Sequence, residues 1–231
     1  MDRKIFLLLV LVVSSFSSQR ISAQTSFEGM LEFKRTEGTV TKKYCYFVKG
    51  KKVRIVIYDP AKDNRFGKGT DTSTVILDLD SGTIISLMHE RKLWVVVEPK
   101  KGPVTPEVSN FSVPTSVPYE DPNFAGNKKI AGQTCRGIAV VLKSENTKVF
   151  YWRADEKFDF FNAMMDLLRN KEFYPAYYKA LNEPKGTMPF MIIKKQADGT
   201  ETSKMELIKY EKKVISDWNF EIPAGYVKFG Q

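Results

Sequence analysis

Hydrophobic and polar residues alternate along the chain from residue 27 onward. In residues 27–34 the apolar side chains Phe27, Leu31 and Phe33 all fall on odd-numbered positions. This period of two predicts a strand. The next segments are rich in β-branched and aromatic residues and are separated by short turn-forming stretches. Such short connections permit antiparallel pairing and leave no room for crossover helices. The sequence therefore predicts an antiparallel meander with further strands at 40–48, 51–58, 73–79, 83–88 and 92–97.

A proline-rich stretch at 98–127 interrupts this pattern. Six of the eleven prolines lie there, which predicts a long irregular connection. It is either a domain boundary or a loop over one end of the sheet, and the return of strand patterns at Lys129 favours the loop. We therefore expect a single domain over residues 24–231. Its later strands are predicted at 135–143, 146–154, 187–195 and 202–210.

One segment has helical periodicity. Residues 156–169 are apolar around most of the helix circumference, and Asp155 is a suitable N-cap. A helix of this kind must be covered on more than one side. A second short helix is predicted to begin at Pro175. Because strand 51–58 is apolar on both faces, a curved sheet wrapped around an apolar helix satisfies both requirements.

The first 23 residues have the order of an export signal. Arg3 and Lys4 precede the apolar run 5–13, and a polar stretch then leads to a cleavage site after Ala23. The apolar run is shorter than the roughly 20 residues that span a bilayer. A membrane anchor or a buried N-terminal strand is the alternative. We expect an exported protein, in the periplasm or outside the cell, with no transmembrane segment.

The composition is that of a globular chain with a basic surface. Of 231 residues, 42% are hydrophobic and 27% are charged, which excludes a disordered or low-complexity chain. The net charge is +9, and removal of the signal with Arg3, Lys4, Arg20 and Asp2 leaves +7. In an exported protein this charge favours anionic lipids, lipopolysaccharide or acidic proteins as partners over nucleic acid. A solvated surface that only maintains solubility is the interpretation that the scattered lysines favour.

The two cysteines and the single histidine limit the chemistry. In an oxidising compartment Cys45 and Cys135 either form a disulfide or remain two buried, unpaired thiols. One histidine argues against a zinc site built from imidazoles, so no metal and no cofactor are expected. That histidine, His89, lies in a polar turn and is expected to be exposed.

Recognisable catalytic motifs are missing from the sequence. It contains no G-x-S-x-G, no H-E-x-x-H and no C-x-x-C. We therefore expect a protein that is not an enzyme and has no catalytic residues. A pair of carboxylates for glycoside hydrolysis stays open, because sequence spacing alone does not reveal such a pair.

Methionine and aromatic residues supply the candidate ligand-binding set. They are concentrated in the helical region and the strand after it, and such soft apolar surfaces suit variable apolar ligands. For any one of them an ordinary core position is the alternative. The predicted ligand-binding residues are Trp94, Phe160, Phe161, Met164, Met165, Tyr177, Tyr178, Met188 and Met191.

Several short segments resemble those of a known family. They are 27–29 (FEG), 46–54 (YFVKGKKVR), 129–135 (KIAGQTC), 151–154 (YWRA) and 220–226 (FEIPAGY). On these segments the chain resembles, over about residues 27–228, a family of exported bacterial proteins of unknown function that is similar in fold to the LolA/LolB lipoprotein carriers. The long proline-rich connection and the lack of a lipidation cysteine depart from the carriers.

The resemblance implies both a fold and a class of ligand. The fold is α+β, mainly β, with an open antiparallel half-barrel sheet and one or two helices packed in its concave face. In the carriers this concavity receives lipoprotein acyl chains, and no catalytic residues are implied. We therefore predict a non-enzymatic periplasmic or secreted protein that binds a lipid or acyl chain, with a basic rim for an anionic headgroup. A cell-envelope interaction or assembly protein with a self-filled cavity is the alternative, and a hydrolase with a carboxylate pair is the third.

Overall fold

The protein is described from a computed structural model. It covers residues 26–58, 71–99, 111–112, 127–142, 146–168, 178, 181 and 186–230. The predicted signal segment, most of the proline-rich connection and the start of the second predicted helix lie outside these residues.

The first six strands form the predicted antiparallel meander, in which each strand pairs with the next. Short turns connect most of them, as the local sequence predicts. Their bounds are β1 (Glu28–Glu37), β2 (Val40–Lys49), β3 (Lys52–Tyr58), β4 (Asp71–Asp78), β5 (Thr83–Met88) and β6 (Leu93–Val97).

The second half of the chain adds more strands and one helix whose full length is described. The helix, α1, spans Asp159–Leu168 and lies between two antiparallel hairpins in chain order. The strands are β7 (Phe111–Ser112), β8 (Asn127–Ile130), β9 (Gln133–Leu142), β10 (Thr147–Ala154), β11 (Pro189–Gln196), β12 (Glu201–Lys212) and β13 (Val227–Lys228).

All thirteen strands found among the described residues belong to one open sheet. Its order is β13-β6-β5-β4-β3-β2-β1-β12-β11-β10-β9-β7, with β8 also paired to β9. The two halves of the chain meet where β1 pairs with β12, with Gly29 opposite Lys212 and Glu37 opposite Ser203. The predicted mainly β, open half-barrel architecture is confirmed.

One pairing departs from the predicted antiparallel sheet. Strand β13 lies parallel to β6, with Val227 opposite Leu93 and Lys228 opposite Trp94. The backbone N–H of Phe229 donates to the carbonyl of Trp94 at 2.8 Å. The C-terminal segment thus covers part of the edge of the meander, which leaves fewer unpaired backbone groups on β6.

Strand alternation divides the sheet into a concave and a convex face. On the concave face, Leu31 of β1 and Val53 of β3 belong to the same buried cluster as Phe160 of α1. On the convex face a smaller buried cluster contains Met30 and Cys45. The strands of the meander are therefore apolar on both sides, and the helix occupies the concave side.

Helix α1 begins three residues later than the sequence predicts, so the assignment of Asp155 as N-cap is wrong. Asp155 instead accepts a hydrogen bond from the guanidinium of Arg153 at 2.8 Å. The next residue, Glu156, accepts a hydrogen bond from the Tyr210 hydroxyl. The contacts of Glu156 with Tyr210 and Lys212 hold the segment before Asp159 against β12.

An aromatic cluster anchors the N-terminal end of the helix. The Phe158 ring is fully buried, and its centroid lies 5.2 Å from that of Phe27, 5.7 Å from Phe190 and 6.0 Å from Phe160. Tyr210 completes the cluster at 6.5 Å. Because these rings come from the residue just before β1, from β11 and from β12, the cluster positions α1 over the junction between the two halves of the sheet.

Cys45 and Cys135 are both buried thiols, so the disulfide alternative is not realised. Cys45 lies on β2 in the convex cluster, whereas Cys135 lies on β9 in the main core. Five strand spacings of about 4.8 Å separate β2 from β9, far beyond the reach of a disulfide. Burial raises the pKa of the Cys135 thiol to about 11, so the thiol remains protonated and unreactive near neutral pH.

His89 is half-buried and hydrogen-bonded at both ring nitrogens, so the expectation of an exposed histidine is wrong. Its Nδ1 lies 2.6 Å from the Tyr226 hydroxyl, and its Nε2 lies 2.7 Å from the Thr74 hydroxyl. Each hydroxyl can donate or accept, so a neutral imidazole satisfies both contacts. The histidine therefore ties the C-terminal segment to β4.

We expect the substitution His89→Ala to lower the free energy of unfolding by about 2 kcal/mol, because it leaves the buried Thr74 hydroxyl without its imidazole partner. Tyr226→Phe removes only the second contact and should cost about 1 kcal/mol. Urea unfolding monitored by circular dichroism measures both losses. An unchanged midpoint for His89→Ala would show that this network does not contribute to stability.

Candidate functional site

A cavity lies between α1 and the concave face of the sheet. Its volume is about 180 Å³, and the whole empty space, including solvent at its mouth, is about 910 Å³. Helix α1 covers one side, and strands from both halves of the sheet form the other. The lining residues are Leu31, Phe33, Tyr44, Tyr46, Ile55, Ile57, Val75, Phe160, Phe161, Met164, Met165, Leu168, Met188, Pro189, Ile192 and Met205.

Helical spacing places five residues of α1 on the cavity side. Phe160, Met164 and Leu168 follow one another at intervals of four, and Phe161 and Met165 form a parallel row. All of these except Leu168 are buried. The face of α1 toward the cavity is thus continuous and apolar.

Cross-strand pairing arranges the sheet side of the cavity in two rows. Leu31 of β1 is directly opposite Tyr46 of β2, which is opposite Ile55 of β3. The second row contains Phe33 and Tyr44, again as direct cross-strand partners. Side chains opposite each other on neighbouring strands are close enough to pack, so each row forms an unbroken apolar surface.

The polar side-chain atoms of the cavity lining are tyrosine hydroxyls. Burial raises the pKa of Tyr46 well above its ordinary value, nearby Tyr44 adds to this rise, and the positive charge of Arg35 opposes it. Tyr46 is therefore neutral at any physiological pH. Among the described residues that line the cavity there is no carboxylate, imidazole, thiol or amine. This surface can bind an apolar group, and it has no side chain suited to general acid–base catalysis near neutral pH.

A second, polar cavity of about 210 Å³ adjoins the first at the turn end of the β1–β2 hairpin. It is lined by Arg35, Glu37, Val40, Lys42 and Tyr44, and Tyr44 also lines the apolar cavity. The Arg35 guanidinium lies 2.8 Å from the Glu37 carboxylate. The side chain of Arg35 is only 16% exposed, whereas that of Glu37 is 56% exposed, so the arginine is the more desolvated partner.

Five of the predicted ligand-binding residues line the apolar cavity. They come from α1 and from the segment that leads into β11. As ligand contacts they remain predictions. These residues are Phe160, Phe161, Met164, Met165 and Met188.

The other predicted residues lie elsewhere. Tyr178 is buried beside the cavity, with its hydroxyl 2.8 Å from that of Thr187. Met191 is buried in the same core, and neither residue lines the cavity. Trp94 lies on β6, where the ammonium of Lys228 is 5.6 Å from its ring centroid. Tyr177 lies outside the described residues.

The strand side of the cavity is the part that the sequence interpretation misses. The sequence identifies Leu31, Phe33, Ile55 and Ile57 as strand residues but not as ligand contacts. Their period-two pattern shows which of them share a face, and this is the available signal. It does not show that this face lies opposite α1, because that depends on the pairing of β1 with β12.

No helix within the described residues is both long and apolar enough to cross a membrane. The same residues contain no group of three or more His, Cys, Asp or Glu side chains close enough to hold a metal ion. The expectations of no metal and no cofactor stay predictions.

Comparison with known proteins gives several distant structures and one family. An uncharacterised conserved protein from Thermus thermophilus is 5% identical with a TM-score of 0.46, over 86% of this chain and 87% of that one. A chain of the MucA/MucB complex of Pseudomonas aeruginosa is 10% identical with a TM-score of 0.43, over 83% of this chain and 54% of that one. A crystal structure of MucB is 12% identical with a TM-score of 0.39, over 87% of this chain and 58% of that one.

These structural likenesses are too weak to carry a functional argument. No curated protein matches the chain. A family model does match, that of a domain of unknown function, DUF4412, and it covers residues 27–226. The predicted membership of a family of unknown function is confirmed: the chain belongs to the DUF4412 family.

Proposed function

We propose that this protein is a non-enzymatic binder of a hydrophobic ligand, a lipid or an acyl chain, and that it acts as an exported protein. The observation that carries the proposal is the apolar cavity between α1 and the sheet. Protein interiors are close-packed, and voids of this size are uncommon. The apolar atoms that line this open space lack packing partners on one side. A bound apolar group would recover the missing contacts.

The cavity has an accessible margin. Ile57, Val75 and Leu168 line it and are only half-buried, whereas most of the other lining residues are buried. These three side chains come from β3, β4 and the C-terminal end of α1. They mark the mouth through which we expect an acyl chain to enter.

The shape of the lining favours an elongated ligand. The contributing strands β4, β3, β2, β1, β12 and β11 are consecutive neighbours in the sheet. Five strand spacings correspond to roughly 24 Å along the curve of the sheet. An extended acyl chain fits such a surface better than a compact, rounded ligand does.

A second candidate function is interaction with another envelope protein. Helix α1 already fills part of the concavity with Phe160, Phe161, Met164 and Met165. In addition, Val96, Val97, Val227 and Phe229 are exposed large apolar side chains on or beside strands β6 and β13. In this alternative the cavity is a packing defect, and the apolar edge receives a partner.

We expect the substitution Ile57→Trp to weaken fatty-acid binding at least about tenfold, because the indole would occupy the mouth of the cavity. The matched control is Ile85→Trp, also at a half-buried strand position but on the opposite face from buried Ile84. This control should bind as the parent protein does. Titration with a fluorescent fatty acid, below its aggregation concentration, measures both.

A series of fatty acids of increasing length tests the same proposal without substitutions. Each added methylene should strengthen binding about fourfold until the cavity is full, since burial of one CH₂ contributes about 0.8 kcal/mol. Native mass spectrometry of the purified protein should also show a co-purifying lipid. A protein that carries no lipid, takes up no fatty acid and shows no shift in melting temperature would favour the interaction protein.

A further inference from the structure

We propose that the polar cavity lined by Arg35, Glu37, Val40, Lys42 and Tyr44 binds the anionic head of the ligand whose chain occupies the apolar cavity. The inference rests on the proposed function and narrows it: the ligand is an amphiphile with an anionic carboxylate or phosphate at one end of an acyl chain. Arg35 and Lys42 supply the positive charge, and Tyr44 forms the wall common to both cavities.

The concave face of the β1–β2 hairpin changes from apolar to charged along its length. Phe33 and Tyr44 form the last cross-strand pair that lines the apolar cavity. Two residues farther along each strand, Arg35 is directly opposite Lys42. Two residues along a strand correspond to about 6.8 Å, so the positive charges begin immediately beyond the apolar wall. A chain in the apolar cavity can thus place its terminal group between them.

The cross-strand pair of Arg35 and Lys42 calls for an anion. Like charges directly opposite each other on neighbouring strands destabilise a sheet. Glu37 offsets part of this repulsion through its ion pair with Arg35. Its carboxylate is largely exposed, and such surface ion pairs contribute little, so a ligand anion can replace it. In the ligand-free protein Glu37 therefore occupies the place that the ligand's carboxylate or phosphate would take.

Arg35 is suited to this role by its chemistry and its position. A guanidinium presents a planar set of donors that matches a carboxylate or phosphate with two parallel hydrogen bonds. Because the Arg35 side chain is mostly buried, its interaction with an anion is less screened by water than that of a surface lysine. Its charge also acts on Tyr46, whose pKa it lowers against the larger effect of burial. The positive charge therefore acts toward the apolar cavity as well as toward solvent.

The test compares ligands that share the same acyl chain and differ in their head group. Laurate carries a carboxylate, lauroyl lysophosphatidic acid carries a phosphate, and monolaurin carries neither. Isothermal titration calorimetry at pH 7.5, below the aggregation concentrations, should show the preferred anionic ligand binding at least about tenfold more tightly than monolaurin. Comparison of laurate with the lysophosphatidic acid identifies which anionic head the site prefers.

Substitutions in the polar cavity should change the affinity for ligands with an anionic head group and no others. Arg35→Gln and Lys42→Gln should each lower the affinity for the anionic ligand several-fold to about tenfold. The affinity for monolaurin should stay within about twofold of that of the parent protein. Glu37→Gln should raise the affinity for the anionic ligand, because it removes the carboxylate that competes for Arg35. The matched control is Lys43→Gln, which removes a lysine from the other face of β2, where Lys43 lies 3.3 Å from Glu32. It should leave both affinities unchanged.

The outcomes separate the inference from the function on which it rests. Equal affinities for laurate, the lysophosphatidic acid and monolaurin, unaffected by Arg35→Gln, would overturn the head site and leave acyl-chain binding in place. A failure of all three ligands to bind would overturn the proposed function itself. Melting temperatures control for folding, and Arg35→Lys, which keeps the charge but loses the planar donor set, should retain a part of the anionic preference.

Discussion

The substitution Phe158→Ala is expected to lower the free energy of unfolding by about 3–5 kcal/mol, a large share of the stability of a domain of this size. The Phe158 ring is fully buried and contacts the rings of Phe27, just before β1, and of residues in β11 and β12. Its removal leaves a void at the junction of the two halves of the sheet. The surrounding strands are fixed by their pairing, so they cannot close this void without a loss of hydrogen bonds.

Guanidinium chloride unfolding measures the effect, and Phe229→Ala provides the matched control. The Phe229 ring is 59% exposed, so its truncation should change the free energy of unfolding by less than about 0.5 kcal/mol. The backbone N–H of Phe158 also donates to the carbonyl of Gly186 at 2.6 Å, and this bond survives the substitution. Equal losses for the two variants would show that the aromatic cluster does not anchor α1.

The substitution Gly29→Ala is expected to cost about 3 kcal/mol, at the upper end of the range for overpacking. A Cβ atom at this position would lie 2.1 Å from the backbone carbonyl oxygen of Glu211, on the neighbouring strand β12. Backbone cannot move aside as a flexible side chain can, so the two strands must separate locally. The pairing that they lose joins the halves of the sheet.

Gly38→Ala is the matched control for this second variant. Gly38 has a φ of +56° in the β1–β2 turn, and nothing lies within 4 Å of an added Cβ. Its substitution should cost only about 1 kcal/mol, which is the strain of a left-handed conformation for a residue with a side chain. Urea unfolding measures the loss in free energy of unfolding for both variants, and the difference between them separates the steric clash from the conformational cost. If Gly29→Ala were the less destabilised of the two, the close approach of β1 to β12 would be refuted.

Local alternation of apolar and polar residues is enough to predict which side chains of a meander strand share a face. The pattern in β3 predicts that Val53, Ile55 and Ile57 share one face and that Val56 and Tyr58 share the other, and the structure confirms this division. Such a prediction succeeds because neighbouring strand residues necessarily point to opposite faces. The covering of the concave face by an apolar helix follows from the same pattern, since both surfaces must be removed from water.

Contacts between distant parts of the chain explain where prediction from sequence failed. Asp155 has the residue type of an N-cap, but its carboxylate also lies 3.7 Å from the guanidinium of Arg136 on β9, and the following Glu156 is bound by Tyr210 from β12. His89 lies in a polar turn, and its partners Thr74 and Tyr226 come from other elements. No local pattern contains these pairings.

Residue type in the sequence predicts the helical half of the candidate site. Met164 and Met165 line the cavity as a soft apolar helix face would. Residue type also selects Trp94, which lies on β6, four strands from β2 in the sheet. Residue type does not select Leu31 and Phe33, because their place opposite α1 follows from the pairing of β1 with β12.

The ladder between β1 and β12 also has a kinetic consequence. It pairs Gly29 with Lys212 and Glu37 with Ser203, so it joins residues that are far apart in sequence. Contacts of such high contact order form slowly, because a long loop must close before any of their stabilisation is gained. The cavity draws Leu31 from β1 and Met205 from β12, so it does not exist until that loop has closed. A chain in which β1 has not yet paired with β12 therefore cannot hold its ligand, and the ability to bind appears only once that pairing has formed.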